Sequence, residues 1–347
     1  PKGTIAEQLQ DIPGIQVTDG GMGGGAKRIT IRGEAASRVL VLIDGMKISA
    51  QHSRGGSMLL IDHINIERIA VIKGPASVLY GSEAIGGVVN IITKKGGTKP
   101  VQASFVTQFD GSANAPLVGG AIYGGYKGFG YRVTGDYTEA KDKRGGSGRS
   151  DNASYMQRNI STYLDYSWGT GRVGGGYDHF WTNTNIPSAT SDGATVSLDL
   201  PEWKRERFYL FGEVDQISDY LQKINLTGFT QLVQKEFSNQ IDVTMVQTPM
   251  MTMERSMLLD TYNKQRSYGA TFQTDWTFGD SHYVVAGVDF LRDKLDATDD
   301  REAYMIMTNM AGTTVISDAS GFGNYRYEGH QDTWAVFVQD EWSFAQD

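Results

Sequence analysis

Few side chains in this sequence could do chemistry, and none of them is a cysteine. Without a thiol, a disulfide framework and any thiol-based metal or redox site are excluded. The glycine cluster Gly81, Gly86 and Gly87 could cradle a phosphate. A dinucleotide fingerprint, however, needs G-x-G-x-x-G opening a helix and an acidic residue further on. Here a β-branched run, Val88–Ile92, follows the glycines and reads as a strand, so no catalytic residue is assigned and no enzyme is expected. His52, Ser53 and Arg54 lie in the Gly-containing segment 46–59, and Met22 lies in the Gly-rich segment 19–27. Long Gly-rich connections between strands carry function or disorder. The guanidinium of Arg54 favours an anionic chelate, and His52 reads either as a ligand contact or as an ordinary polar residue.

Methionines are placed unevenly. Met245, Met250, Met251, Met253 and Met257 fall in one polar stretch, and Met305, Met307 and Met310 fall in the next. Met22, Met46 and Met58 accompany the two Gly-bearing segments. Adaptable packing is the ordinary reading of such residues. The sharper one is a thioether-lined mouth for a flat apolar ligand such as haem, or for a soft ion such as copper. The acidic run 296–302 (DATDDRE) offers hard oxygen atoms to calcium but lacks EF-hand spacing, so a solvated surface is the preferred reading. No metal site is assigned.

These residues need a scaffold. The chain has 347 residues and a net charge of −8, which leaves room for two domains and disfavours a nucleic-acid partner. No apolar run reaches the roughly 18–20 residues of a membrane helix. Strands that cross a membrane need no such run, because they alternate. After 94–100 (KKGGTKP) the sequence does alternate. Phe129, Tyr131, Val133 and Tyr137 share one face, while Arg132, Thr134, Asp136 and Thr138 share the other. About ten strands are expected, near 101–109, 117–127, 129–140, 156–168, 171–183, 206–217, 220–234, 266–278, 281–293 and 332–344. Tight connections at 128, 169–170, 218–219 and 279–280 alternate with long polar loops at 141–155, 184–205, 235–265 and 294–331. Short turns at one end and long loops at the other are the rhythm of an outer-membrane barrel.

The most specific string is Glu67–Gly97, ERIAVIKGPASVLYGSEAIGGVVNIITKKGG, two apolar runs around a centre of small residues. It resembles the plug of TonB-dependent outer-membrane receptors. Ala70 departs from an acidic position of that pattern and Lys73 from an arginine. The likeness continues upstream through 12–15 (IPGI), 29–33 (ITIRG) and 39–45 (VLVLIDG). It implies a mixed α/β plug over 1–100, then a transmembrane antiparallel β-barrel over 101–347. It also implies a barrel of roughly 22 strands, of which this chain holds about ten, and a TonB box before Pro1. The expected setting is the Gram-negative outer membrane. The expected function is TonB-dependent uptake of an extracellular metal chelate, an iron–siderophore complex or haem, with no resident cofactor. Cobalamin, copper and a passive porin-like channel are the alternatives. The resemblance places Met22, His52, Ser53 and Arg54 at the ligand cavity. It places Arg32, Glu67, Arg68 and Lys73 at the plug–barrel boundary, with barrel carboxylates facing Arg32 and Lys73; Glu341 is one candidate. Asp44-Gly45 reads as plain turn chemistry.

Overall fold

The computed structural model describes residues 9, 11–19, 27–34, 38–48, 61, 63–80, 84–142, 144–145, 148–149, 153–191, 193–248, 251–279, 281–309, 311–317 and 323–343. Its first part is short strands. A hairpin pairs β1 (Ile15–Asp19) with β2 (Lys27–Ile31). A mixed sheet follows, from β3 (Val39–Ile43), β4 (Met46–Lys47), β5 (Ile66–Lys73) and β6 (Gly87–Thr93), in the order β4-β3-β6-β5. A single helical turn, α1 (Ser77–Tyr80), joins β5 to β6. All five residues of β3 are buried, because apolar side chains cover both of its faces. Val39, Val41 and Ile43 pack with Ile31, Val89 and Ile91, while Leu40 and Leu42 pack with Ala84 and Val88. Gly87 explains the glycine cluster. It sits at φ 150°, and a Cβ there would come within 2.4 Å of the Ile72 carbonyl oxygen. It serves close backbone approach, not phosphate binding.

The second part is one large antiparallel sheet. Its strands are β7 (Gln102–Asp110), β8 (Ala115–Tyr126) and β9 (Phe129–Ala140). A small separate hairpin, β10 (Arg144–Gly145) with β11 (Gly148–Arg149), interrupts them. Then come β12 (Tyr155–Trp168), β13 (Gly171–Ser191), β14 (Ala194–Asp215), β15 (Leu221–Thr248), β16 (Met251–Phe278) and β17 (His282–Asn309). Both β18 (Gly312–Ser317) and β19 (Asn324–Trp342) pair with β17, making eleven strands in the sheet.

One face of this sheet is apolar and open. Ile122, Val133, Leu164, Val173, Leu210 and Phe272 are all exposed there. The opposite face is polar and buried, with Arg132, Thr134, Asp136, Asn159, Asp178, Arg207 and Gln231. That inversion suits lipid outside and a filled, polar lumen within. At the tight-turn end aromatic rings meet along the rim, Phe129 and Tyr166 tilted with centroids 4.6 Å apart and Trp276 and Phe278 stacked 6.2 Å apart. Such a belt sits where lipid meets water. No helix among the described residues is long and apolar enough to cross a membrane.

The structure corrects the expected long loops. Segments 184–205, 235–265 and 294–331 are mostly strand, and β15, β16 and β17 each run 28 residues. At ~3.3 Å per residue that is roughly 90 Å, whereas ~10 tilted residues cross the hydrocarbon. Beyond the bilayer neither face meets lipid, so the apolar period disappears while the backbone ladder continues.

Candidate functional site

The plug is tied to the polar face of the sheet at the β3–β4 hairpin and at Asn65. Asp44 and Gly45 close β3 onto β4 with φ of 52° and 78°, both left-handed, as a tight two-residue turn requires. Parallel pairing of β3 with β6 brings this turn beside the end of β6. There the Asp44 carboxylate accepts from the Thr93 backbone N–H at 3.0 Å, the Thr93 hydroxyl at 2.7 Å and Lys95 Nζ at 2.9 Å.

Arg207 on β14 reaches in from the wall. Its side chain is 1% exposed. Its Nη1 donates to the Ile43 carbonyl at 3.1 Å, and its Nη2 lies 4.0 Å from Asp44 Oδ2. Its Nε donates to Asp178 Oδ2 at 2.8 Å, which fixes the guanidinium against the neighbouring strand β13. Asp178 also accepts from the Ser161 hydroxyl at 2.6 Å, and Ser161 accepts from Asn65 Nδ2, back in the plug, at 2.9 Å. The polar groups therefore run from plug to wall and back to plug through Asp44, Arg207, Asp178, Ser161 and Asn65. A buried charge this well supplied with partners is tolerated; losing one partner is expensive. Apolar contact reinforces the seat, since Met46 packs with buried Tyr163 and Tyr209, and Lys95 Nζ lies 5.0 Å over the Tyr163 ring. Elsewhere around the hairpin a cavity of about 220 Å³ opens between plug and wall, lined by Lys47, Asn90, Asn225, Gln273 and Asp289.

This arrangement makes Asp44 more than the turn residue read from the sequence. The Asp-Gly signal was satisfied by turn chemistry alone, and nothing local marked the carboxylate as the hub. Asn65 and Lys95 gave no signal either, and Met46, grouped in the sequence with the methionines of a ligand mouth, packs on the wall tyrosines instead. Of the residues expected at the boundary, Arg32, Glu67 and Arg68 are exposed and Lys73 is half-buried. None of the four has a hydrogen bond or ion pair to the wall among the described residues, and Glu341 on β19 is exposed. Met22, His52, Ser53 and Arg54 lie outside the described residues. The acidic run proves to be part of β17. Alternation sends Asp299 to the face opposite Asp296 and Asp300, and Arg301 and Arg326 take Asp299 and Asp296 at 3.0 and 3.2 Å. The hydrogen bond to Asp299 raises the Arg301 pKa above its ordinary value.

Residues 1–88 match the TonB-dependent receptor plug domain family, and that domain sits against the polar face of a sheet whose other face is apolar. Residues 1–88 are thus a TonB-dependent receptor plug domain. Among curated relatives, the chain is 39% identical over 122 residues to the vitamin B12 transporter BtuB of Photobacterium profundum. That match covers 35% of the chain and 20% of the relative, so the chain spans only a fraction of that relative's length. Among solved structures, the copper transporter OprC superposes with a TM-score of 0.66 at 17% identity, over 98% of this chain and 57% of that one. BauA, the ferric preacinetobactin receptor from Acinetobacter baumannii, superposes with 0.55 at 16% identity, over 95% and 58%. At these identities the structures speak for the shared fold.

Proposed function

We propose that this receptor takes up a scarce metal chelate, an iron–siderophore complex or haem, across the outer membrane, driven through TonB and its inner-membrane energising complex. The observation that carries the reading is the seated plug. A passive porin has no use for a folded domain fastened into its lumen by Asp44, Arg207 and Asn65. A domain so fastened moves only when external work offsets its contacts. No bond is made or broken, so the protein is not an enzyme on this reading.

The plug spans 1–100 and the wall 101–347 in this proposal. The ligand meets Met22 and His52–Arg54 at the plug apex, and Arg32, Glu67, Arg68 and Lys73 meet wall groups outside the described residues. Cobalamin is the second reading, favoured by the BtuB match, and it too is a metal chelate. Copper is the third.

The absorbance spectrum of receptor purified from its native membrane tests the ligand class. A Soret band, a ferric-chelate band or a corrinoid band each names one, and receptor that binds none of these chelates refutes uptake of this class. Replacing His52 and Arg54 together by Ala is expected to weaken binding of the identified chelate by at least about tenfold, or ~1.4 kcal/mol. Unchanged affinity places the contacts elsewhere.

A further inference from the structure

The methionines singled out in the sequence fall into register. Met253 on β16 stands directly opposite Met307 on β17, and on its other side opposite Met245 on β15. Met305 stands opposite Arg255, two residues along β16, which makes it the diagonal neighbour of Met253. Pairing of β16 with β17 has no bulge, so alternation puts Met253, Met305 and Met307 on one face. It is the face that, further along β16, carries Gln265 and Ser267 into the buried lumen.

Directly opposed side chains start roughly 5 Å apart and diagonal ones roughly 7–8 Å. Flexible thioethers can converge over those distances. All three side chains are half-buried, neither sealed nor free in solvent. Their neighbours on β18 are uncharged. Ile316 stands opposite Met305 and Thr314 opposite Met307. No group of three or more His, Asp or Glu among the described residues could hold a metal ion, so hard divalent ions have no ligand set. The nearest charge on this face is Arg255, opposite Met305, and its repulsion is twice as large for a divalent ion as for a monovalent one. Plain packing would accept leucine or a β-branched residue at each of these positions. Three adjacent thioethers make a soft donor set.

We propose that Met253, Met305 and Met307 form a binding site for Cu(I) on the lumen face of the long hairpins. Thioethers are neutral and do not titrate, so the site holds its ion in acid, where thiolate and imidazole sites are protonated and lose theirs. The site is independent of the chelate bound at the plug apex, so either can fail without the other.

The test is titration of the purified full chain with Cu(I), under ascorbate, against a chromophoric Cu(I) chelator, near neutral pH and near pH 5. The expected result is one Cu(I) per chain with similar affinity at both pH values. The triple variant Met253→Leu, Met305→Leu, Met307→Leu conserves volume and is expected to lose at least about tenfold in affinity, with its far-UV circular dichroism unchanged. Should the triple variant not fold, the single variants Met253→Leu and Met307→Leu carry the same comparison. Three results overturn the proposal: no Cu(I) on the unaltered chain, undiminished binding in the leucine variants, or binding that vanishes near pH 5.

Discussion

Replacing Arg207 by Met isolates what the plug gains from its seat. The substitution keeps bulk against Tyr209 but removes the donor to the Ile43 carbonyl, at 3.1 Å, and the longer contact to Asp44, at 4.0 Å. It also strips Asp178 of its cation, which would disturb the wall and confuse the reading. The clean perturbation is therefore the double variant Arg207→Met, Asp178→Asn. It removes one charge of each sign from the wall, so net charge is conserved while Arg205 remains, and the Asn side-chain carbonyl can still accept from Ser161. A hydrogen bond from a charged donor contributes about 1.5–3 kcal/mol. The contact at 4.0 Å adds little beside it. The plug hairpin should then open roughly 10- to 150-fold more often. Hydrogen exchange followed by mass spectrometry on peptides covering 39–47 reads that opening directly, with heat-modifiable migration on gels as the check that the barrel is intact. Protection of 39–47 unchanged within about threefold would refute the seat.

The remaining expectations are briefer. Gly87→Ala forces a methyl to within 2.4 Å of the Ile72 carbonyl; the overpacking should cost about 1–3 kcal/mol, seen as lost exchange protection in β5 and β6, and full protection would show that the strands have room. Leu164, 59% exposed on the apolar face, when changed to Arg should cost about 2–4 kcal/mol in folding into lipid vesicles, while a neutral result would mean this face is not lipid-bound. Protease added to intact cells should cut at the long-hairpin end, between β15 and β16 or between β18 and β19, and spare Gly128 and Gly279; cuts at those turns would invert the orientation.

Much of the wall was legible because lipid imposes a pattern on sequence. Where Val133 alternates with Arg132 and Thr134, the strand could be read residue by residue. Above the bilayer that pressure ends. Residues such as Ser238, Asp260 and Thr298 pair as regularly as any, yet their polarity reads as loop. The plug announced itself through Glu67–Gly97, whose small residues are required by contacts such as that of Gly87. The seat was hidden for a different reason. Arg207 is separated from Ile43 by 164 positions, and no local pattern tells which inward-facing arginine of a barrel will meet the plug.

The two kinds of pairing in the plug have different mechanical strength. In the β1–β2 hairpin, Ile15 lies opposite Ile31, so a pull arriving from the N-terminus enters and leaves at the same end and parts the bonds one at a time. In the parallel β3–β6 pair, the pull enters at Val39 and is resisted beyond Thr93, at opposite ends, so its five paired positions are stretched together. Pulled singly from its N-terminus, the plug should give way first at low force and then stall at a higher one, with the stall set by β3 and β6; a single featureless rupture would contradict this. The domain thus holds a yielding segment in series with a clamp, and a pulling partner could draw out the first without dislodging the second.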